Sequence, residues 1–293
     1  MSLLETAVRG VARTILHPVF ESGATMINYE NLEESLNELD GLLDDRTLLT
    51  IATSHISHSD ILIGLRLVQE VRENFPKIGN FYIPVATSLV RGLQGPVIQL
   101  FYSEGTVPLL AQQNIRPLPV VTENDRKIRH LKPSVAEAKQ INHAAREQGS
   151  ALLIFPEGSV EGGRYDMFGH IKGLQHVTNQ FLPYAFQKAY EAKRRVVILP
   201  VGTIDTNALL SAESLFLTWK SLGALLEHRL LGRERILARA VIGHPFVLQR
   251  DLLKNPEDIN DCVMYSIAAL KPLEERGYYE LIKNSITSPS FTI

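Results

Sequence analysis

Two short stretches of the chain carry residue types suited to proton transfer. Ser54-His55-Ile56-Ser57-His58-Ser59-Asp60 sets an imidazole five positions before a carboxylate. Phe155-Pro156-Glu157-Gly158-Ser159, about a hundred residues later, sets a carboxylate beside a glycine turn. On a continuous helix a five-residue spacing would splay His55 and Asp60 by about 140°. With His55 in a turn and Asp60 in the first helical turn, the loop folds back. The carboxylate then accepts a hydrogen bond from one imidazole nitrogen, which fixes the tautomer and leaves the other nitrogen as a general base. Two other readings stay open. His55, His58 and Asp60 are also a possible ligand set for a metal ion, although Ile61 stands where a further histidine ligand would complete the His-x-His-x-Asp-His pattern. The segment is equally a polar turn in which Ser57 or Ser59 caps a helix.

In the second stretch, residues 151–155 form an unbroken apolar run ended by Pro156. Gly158 lets a ligand approach the backbone closely, and successive exposed amides in such turns bind anions. Glu157 would repel a phosphate, so its expected role is to accept from a substrate hydroxyl or to hold a nearby base. Cations for a phosphate must then come from elsewhere. Arg126, Arg164 and Lys172 are the candidates, with Arg116 behind Arg126. Each is also an ordinary solvated surface charge.

The elements that must position these groups alternate along the chain. Residues 48–53, 80–85, 116–121, 151–155, 196–201 and 235–242 read as strands. Residues 60–74, 86–101, 134–148, 171–191 and 207–230 read as helices between them. That alternation predicts an α/β fold with a mixed, partly parallel central sheet flanked by helices. Both motifs fall just past strand ends, at the sheet edge where α/β proteins place ligands. An N-terminal helical appendage precedes the sheet. Residues 2–20 carry an apolar stripe at helical period with Arg9, Arg13 and His17 largely off it, which suits packing on a core or lying on a membrane. A helix over 30–43 ends near Gly41, and a last helix covers 256–275. The expected organisation is a helical segment over 1–46, an α/β domain over 47–250, and a C-terminal helix and tail over 251–293.

Bulk properties narrow the function classes. The chain has 293 residues, 45% of them hydrophobic and 21% charged, as in an ordinary globular protein. A net charge of −2 argues against a nucleic-acid partner. With Cys262 as the single cysteine, no intrachain disulfide can form, which fits a reducing compartment. No stretch reads as a membrane-spanning helix, since the most apolar one, 81–102, contains Pro84, Arg91, Gly92, Gly95 and Pro96. No secretory signal is expected either.

Together the two motifs resemble those of the glycerolipid acyltransferase family, the glycerol-3-phosphate and 1-acylglycerol-3-phosphate O-acyltransferases. The family's first block, His-x-x-x-x-Asp, matches His55 and Asp60, with Ser57 two after the histidine. Its Phe-Pro-Glu-Gly-Thr/Ser block matches Phe155 to Ser159. The glycine-rich stretch and Lys-Gly that follow resemble Gly162-Gly163 and Lys172-Gly173. An apolar strand ending in proline resembles Val197-Ile198-Leu199-Pro200, and a later Gly-x-Pro resembles Gly243-His244-Pro245. The likeness spans roughly residues 48–246, in order. Ser54 stands where the family often has Asn, and Val160 where it commonly has Arg. The resemblance implies an O-acyltransferase of lipid metabolism and phospholipid biosynthesis. It would take its acyl group from a coenzyme A or acyl-carrier-protein thioester and need no bound cofactor or metal. The acceptor would be glycerol 3-phosphate or a lysophospholipid. It also implies a cytoplasmic protein in peripheral contact with the inner face of a membrane. His55 and Asp60 would be catalytic; Glu157, Gly158, Ser159, Arg126, Arg164 and Lys172 would bind substrate. The residues 207–230, with Leu209, Phe216, Trp219 and Leu226, would wall an acyl groove or belong to the core. The competing classes are a non-catalytic lipid- or carrier-binding homologue and a metal-dependent hydrolase.

Overall fold

A computed structural model describes residues 27–55, 59–93, 102–122, 125–126, 129–157, 173–174, 177, 180–205 and 236–281. Its frame is one eight-stranded sheet of order β1-β7-β6-β2-β5-β3-β4, with β8 beside β6. The strands are β1 Ile27–Glu30, β2 Thr47–Thr53, β3 Asn80–Ala86, β4 Ile115–Val120, β5 Ser150–Ile154, β6 Arg195–Ile204, β7 Ala238–Ile242 and β8 Phe246–Val247. Among the described residues, seven strand pairings join it, five parallel and two antiparallel. β2 runs parallel to both β5 and β6, β3 parallel to β4 and β5, and β1 parallel to β7. Only the β6 contacts with β7 and β8 are antiparallel among the described residues. The mixed, mostly parallel α/β sheet is as expected.

Helices cover both faces, which is why the central strands are apolar throughout rather than alternating. On one face Leu49 and Ile51 of β2 pack with α1 (Leu32–Asp40) and α2 (Ser59–Asn74). On the other, Leu48 and Ala52 pack with α5 (Val135–Arg146), α6 (Phe181–Glu191) and α7 (Pro256–Ala269). Shorter helices α3 (Thr87–Val90) and α4 (Val107–Gln112) lie between β3 and β4, and α8 (Tyr278–Leu281) follows α7. The helix ends carry local reasons. Ser134 caps α5 in a capping box with Glu137. Asn255 accepts from the Glu257 amide at the start of α7, with Pro256 at its first position.

Several elements differ from expectation. The helix expected over 86–101 is four residues long and turns off at Gly92, whose φ is 72°; residues 94–101 lie outside the described part. The helix expected over 171–191 starts only at Phe181, since Gly173 at φ 79° breaks its early half. The C-terminal helix stops at Ala269, because Pro272 is close behind. Strand β6 runs past Pro200 to Ile204. The proline is tolerated there because β8 pairs with Val197 and Ile198 before it and β7 begins at Val201 after it. From residue 27 onward the expected N-terminal appendage contributes β1 and α1 to the same sheet and core, through Ile27, Leu36 and Leu39. The amphipathic helix expected over 2–20 and the 207–230 helix lie outside the described residues.

Candidate active site

Parallel pairing places the two chemical motifs side by side. β2 and β5 match Leu49 to Ala151 and Ala52 to Ile154. Continued past the strand ends, that register sets His55 opposite Glu157. The His55 amide N–H donates to Glu157 Oε2 at 3.1 Å. Glu157 therefore holds the backbone of the imidazole-bearing residue. The His55 ring stands 4.8 Å from the Phe155 ring, tilted by 43°.

The carboxylate of Asp60 enters from the first turn of α2. Its Oδ2 lies 3.8 Å from His55 Nδ1. Both groups are buried, Asp60 completely and His55 nearly so. The distance is ion-pair range and longer than a hydrogen bond. Nδ1 is the ring nitrogen that faces Asp60. Helix and strand explain the placement. β2 ends at Thr53 and α2 begins at Ser59, so His55 stands two residues past the strand and Asp60 in the first helical turn.

On its other side, β6 supports the turn. The Ser54 amide donates to the Val201 carbonyl at 3.3 Å. Ser54 Oγ lies 2.7 Å from Thr203 Oγ1 and accepts from the Thr203 amide at 3.1 Å. Both side chains are fully buried.

The remaining expected site residues fare differently. Gly158, Ser159, Arg164 and Lys172 lie outside the described residues, as do Ser57 and His58, the latter needed by the metal reading. Arg126 follows the end of β4 and is exposed. It sits at the same sheet edge but two strands from β5, roughly 10 Å away by strand spacing. Arg116 is excluded. It lies early in β4, its guanidinium over the Tyr82 ring at 5.9 Å, well before the carboxyl ends of the strands.

Some contributors were not visible in the sequence reading. Arg91, which there counted only as a charge in an apolar stretch, stands just past β3 at the same edge and contacts Glu137 Oε1 at 3.1 Å. Burial alone would raise the Glu137 pKa. The Ser134 amide and hydroxyl, the Thr87 hydroxyl and the Arg91 charge outweigh that and hold it below its ordinary value. The usable signal was position: a cation a few residues past a parallel strand. The C-terminal segment holds the described residues that follow the second motif. The Leu174 amide donates to the Glu275 carbonyl at 3.1 Å, the Tyr278 amide to the Leu174 carbonyl at 2.9 Å, and the Val177 amide to the Tyr279 hydroxyl at 3.2 Å. Burial, with smaller contributions that include the Glu157 charge, pushes the Tyr279 phenol above its ordinary range.

Cavities elsewhere are of another kind. One of about 300 Å³ opens near the amino ends of the strands, lined by Arg46, Arg146, Lys193 and Arg194. Arg146 ends α5 and Lys193 and Arg194 follow α6, where positive charge offsets the helix dipole, while Arg46 precedes β2.

The chain matches no protein-family model and no curated protein.

Proposed function

We propose that the protein is an O-acyltransferase that moves a fatty acyl group from a thioester to a hydroxyl of glycerol 3-phosphate or a lysophospholipid. One observation carries this reading. The imidazole of His55 is flanked by the Asp60 carboxylate and tied through its own amide to Glu157, at the carboxyl ends of parallel strands. The resemblance of both motifs to the glycerolipid acyltransferases supplies the substrate classes.

In the proposed reaction, His55 Nε2 takes the proton of the acceptor hydroxyl as its oxygen attacks the thioester carbonyl carbon. The tetrahedral oxyanion collapses, the carbon–sulfur bond breaks, and the leaving thiolate takes the proton from the imidazolium. Asp60 steadies the imidazolium. A thioester is already activated, so no acyl-enzyme is required. A base of this kind contributes about 10²- to 10⁴-fold in rate. Arg91, Arg126 and Arg129, described cations past β3 and β4, would meet an acceptor phosphate. Among the described residues no helix is long and apolar enough to cross a membrane; contact of the protein with a membrane surface is part of the proposal.

The test is radiolabelled acyl transfer from acyl-coenzyme A and acyl-carrier-protein donors. The acceptors are glycerol 3-phosphate, lysophosphatidate and a non-phosphorylated alcohol. We expect transfer to a phosphorylated acceptor, and loss of at least about 10²-fold in His55→Ala with the fold intact. Normal transfer by that variant removes the base. No transfer by the parent chain to any acceptor favours the binding homologue.

A further inference from the structure

Behind the His55 turn runs a chain of buried polar groups that the proposed chemistry does not use. Lys271 is 2% exposed and Glu275 8%. Lys271 follows the end of α7, and its Nζ lies 2.8 Å from Glu275 Oε2, one turn further on. The same ammonium donates to the main-chain carbonyl of Thr203. Thr203 in turn presents its amide and its hydroxyl to Ser54 Oγ, and Ser54 immediately precedes His55. The close approach needs a glycine. A Cβ on Gly202 would lie 2.7 Å from Leu270 Cβ, so only glycine lets the end of α7 abut β6 here.

A buried ion pair is poor evidence of stabilisation, because desolvation offsets much of the attraction; fixing one geometry is its better-attested use. The geometry here is specific. Val201–Ile204 of β6 pairs with β7 on one edge. On the other edge the Ser54 amide reaches Val201, and the Thr203 carbonyl is taken by Lys271. We propose that Lys271, held by Glu275, is a positioning residue for His55: it fixes the Thr203 main chain, Thr203 fixes Ser54, and Ser54 sets where the imidazole stands between Glu157 and Asp60. The catalytic consequence rests on the reading of His55 as the base; the structural consequence does not.

Three full-length variants decide it. Thr203→Val keeps the shape and removes the hydroxyl. Thr203→Ser restores the hydroxyl. Lys271→Met with Glu275→Gln removes both charges together. The first readout is the nitrogen resonances of the His55 imidazole in histidine-labelled protein, assigned by their loss in His55→Ala. The second is kcat and KM for acyl transfer. We expect Thr203→Val and the double variant to shift the His55 resonances and lower kcat at least tenfold, with both KM values within twofold. Thr203→Ser returns both readouts to within twofold of the parent. Folded variants whose His55 resonances match the parent's overturn the proposal. Should the double variant fail to fold, the single variant Glu275→Gln, which releases the Lys271 ammonium from its carboxylate, replaces it under the same criteria, and Thr203→Val tests the link to Ser54. A parent chain that transfers no acyl group sinks the functional reading, and the resonance comparison still settles the positioning role.

Discussion

Glu157 takes the His55 amide through a carboxylate oxygen, and an amide side chain retains an oxygen for the same bond. Glu157→Gln should therefore keep the fold and lose less than about tenfold in acyl transfer. Glu157→Ala, which leaves the amide to find another acceptor, should lose about 10²-fold, at the scale of a lost charge-assisted hydrogen bond. Steady-state rates of the two variants check this. Cys262 makes a separate prediction. It lies on α7, partly buried, and burial pushes its thiol up to about 11 from 9.0. At pH 8 the folded thiol should react with iodoacetamide about a hundredfold more slowly than the unfolded one, since only the thiolate reacts. The sign for stability follows. Between pH 9 and about 11 the unfolded chain has released this proton while the folded chain keeps it. Stability then falls as pH rises through that window and is undiminished below it. Thermal unfolding of Cys262→Ala should lack that part of the slope.

At the level of elements, helix α2 approaches the sheet through Gly64, where a Cβ would lie 2.9 Å from Leu153 Cδ1. Gly64→Val should overpack this contact and cost about 1–3 kcal/mol. Gly64→Ala gains up to about 1 kcal/mol of helix propensity against a milder clash and should stay within about 1 kcal/mol of the parent. Thermal melts separate the two. The strands that could be read from sequence were those buried on both faces, because covering helices make them unbroken apolar runs. Strand β5, Ser150–Ile154, is fully buried along its length, as the 151–155 run suggests. Strand β1 escaped notice because four residues are too few to show a period, and β8 because it has only two. That the motifs lie past strand ends was legible. That β2 lies between β5 and β6 was not, because neighbour order is set by how crossovers pack rather than by any local pattern. Thr203 carried no signal for the same reason, since it meets Ser54 only because β6 lies beside β2, and Lys271 meets Thr203 only because the end of α7 packs on β6.

For the whole molecule, the open question with the clearest test is the membrane surface. The stripe over residues 2–20, with its cations off the apolar face, motivates an interfacial anchor. We expect the full chain to float with anionic phospholipid vesicles and a chain lacking the first 25 residues to remain at the bottom of the gradient. Equal flotation of both removes the anchor. The way the site is assembled bears on such truncations. His55 and Glu157 meet because β2 and β5 pair directly, 102 residues apart in sequence but neighbours in the ladder, and neither strand depends on the first 25 residues for its partner.

Among the described residues, strand β4 closes one margin of the sheet and carries Pro117 and Pro119 two positions apart. Amides two residues apart in a strand face the same way. The ladder to β3 is intact, so the two missing N–H groups belong to the outward rim. That rim offers an incoming strand too few donors to extend the sheet, a known guard against rim-to-rim aggregation. Concentrated solutions of the folded chain should accordingly resist fibrillar growth from this side, and replacing both prolines with valine would open it.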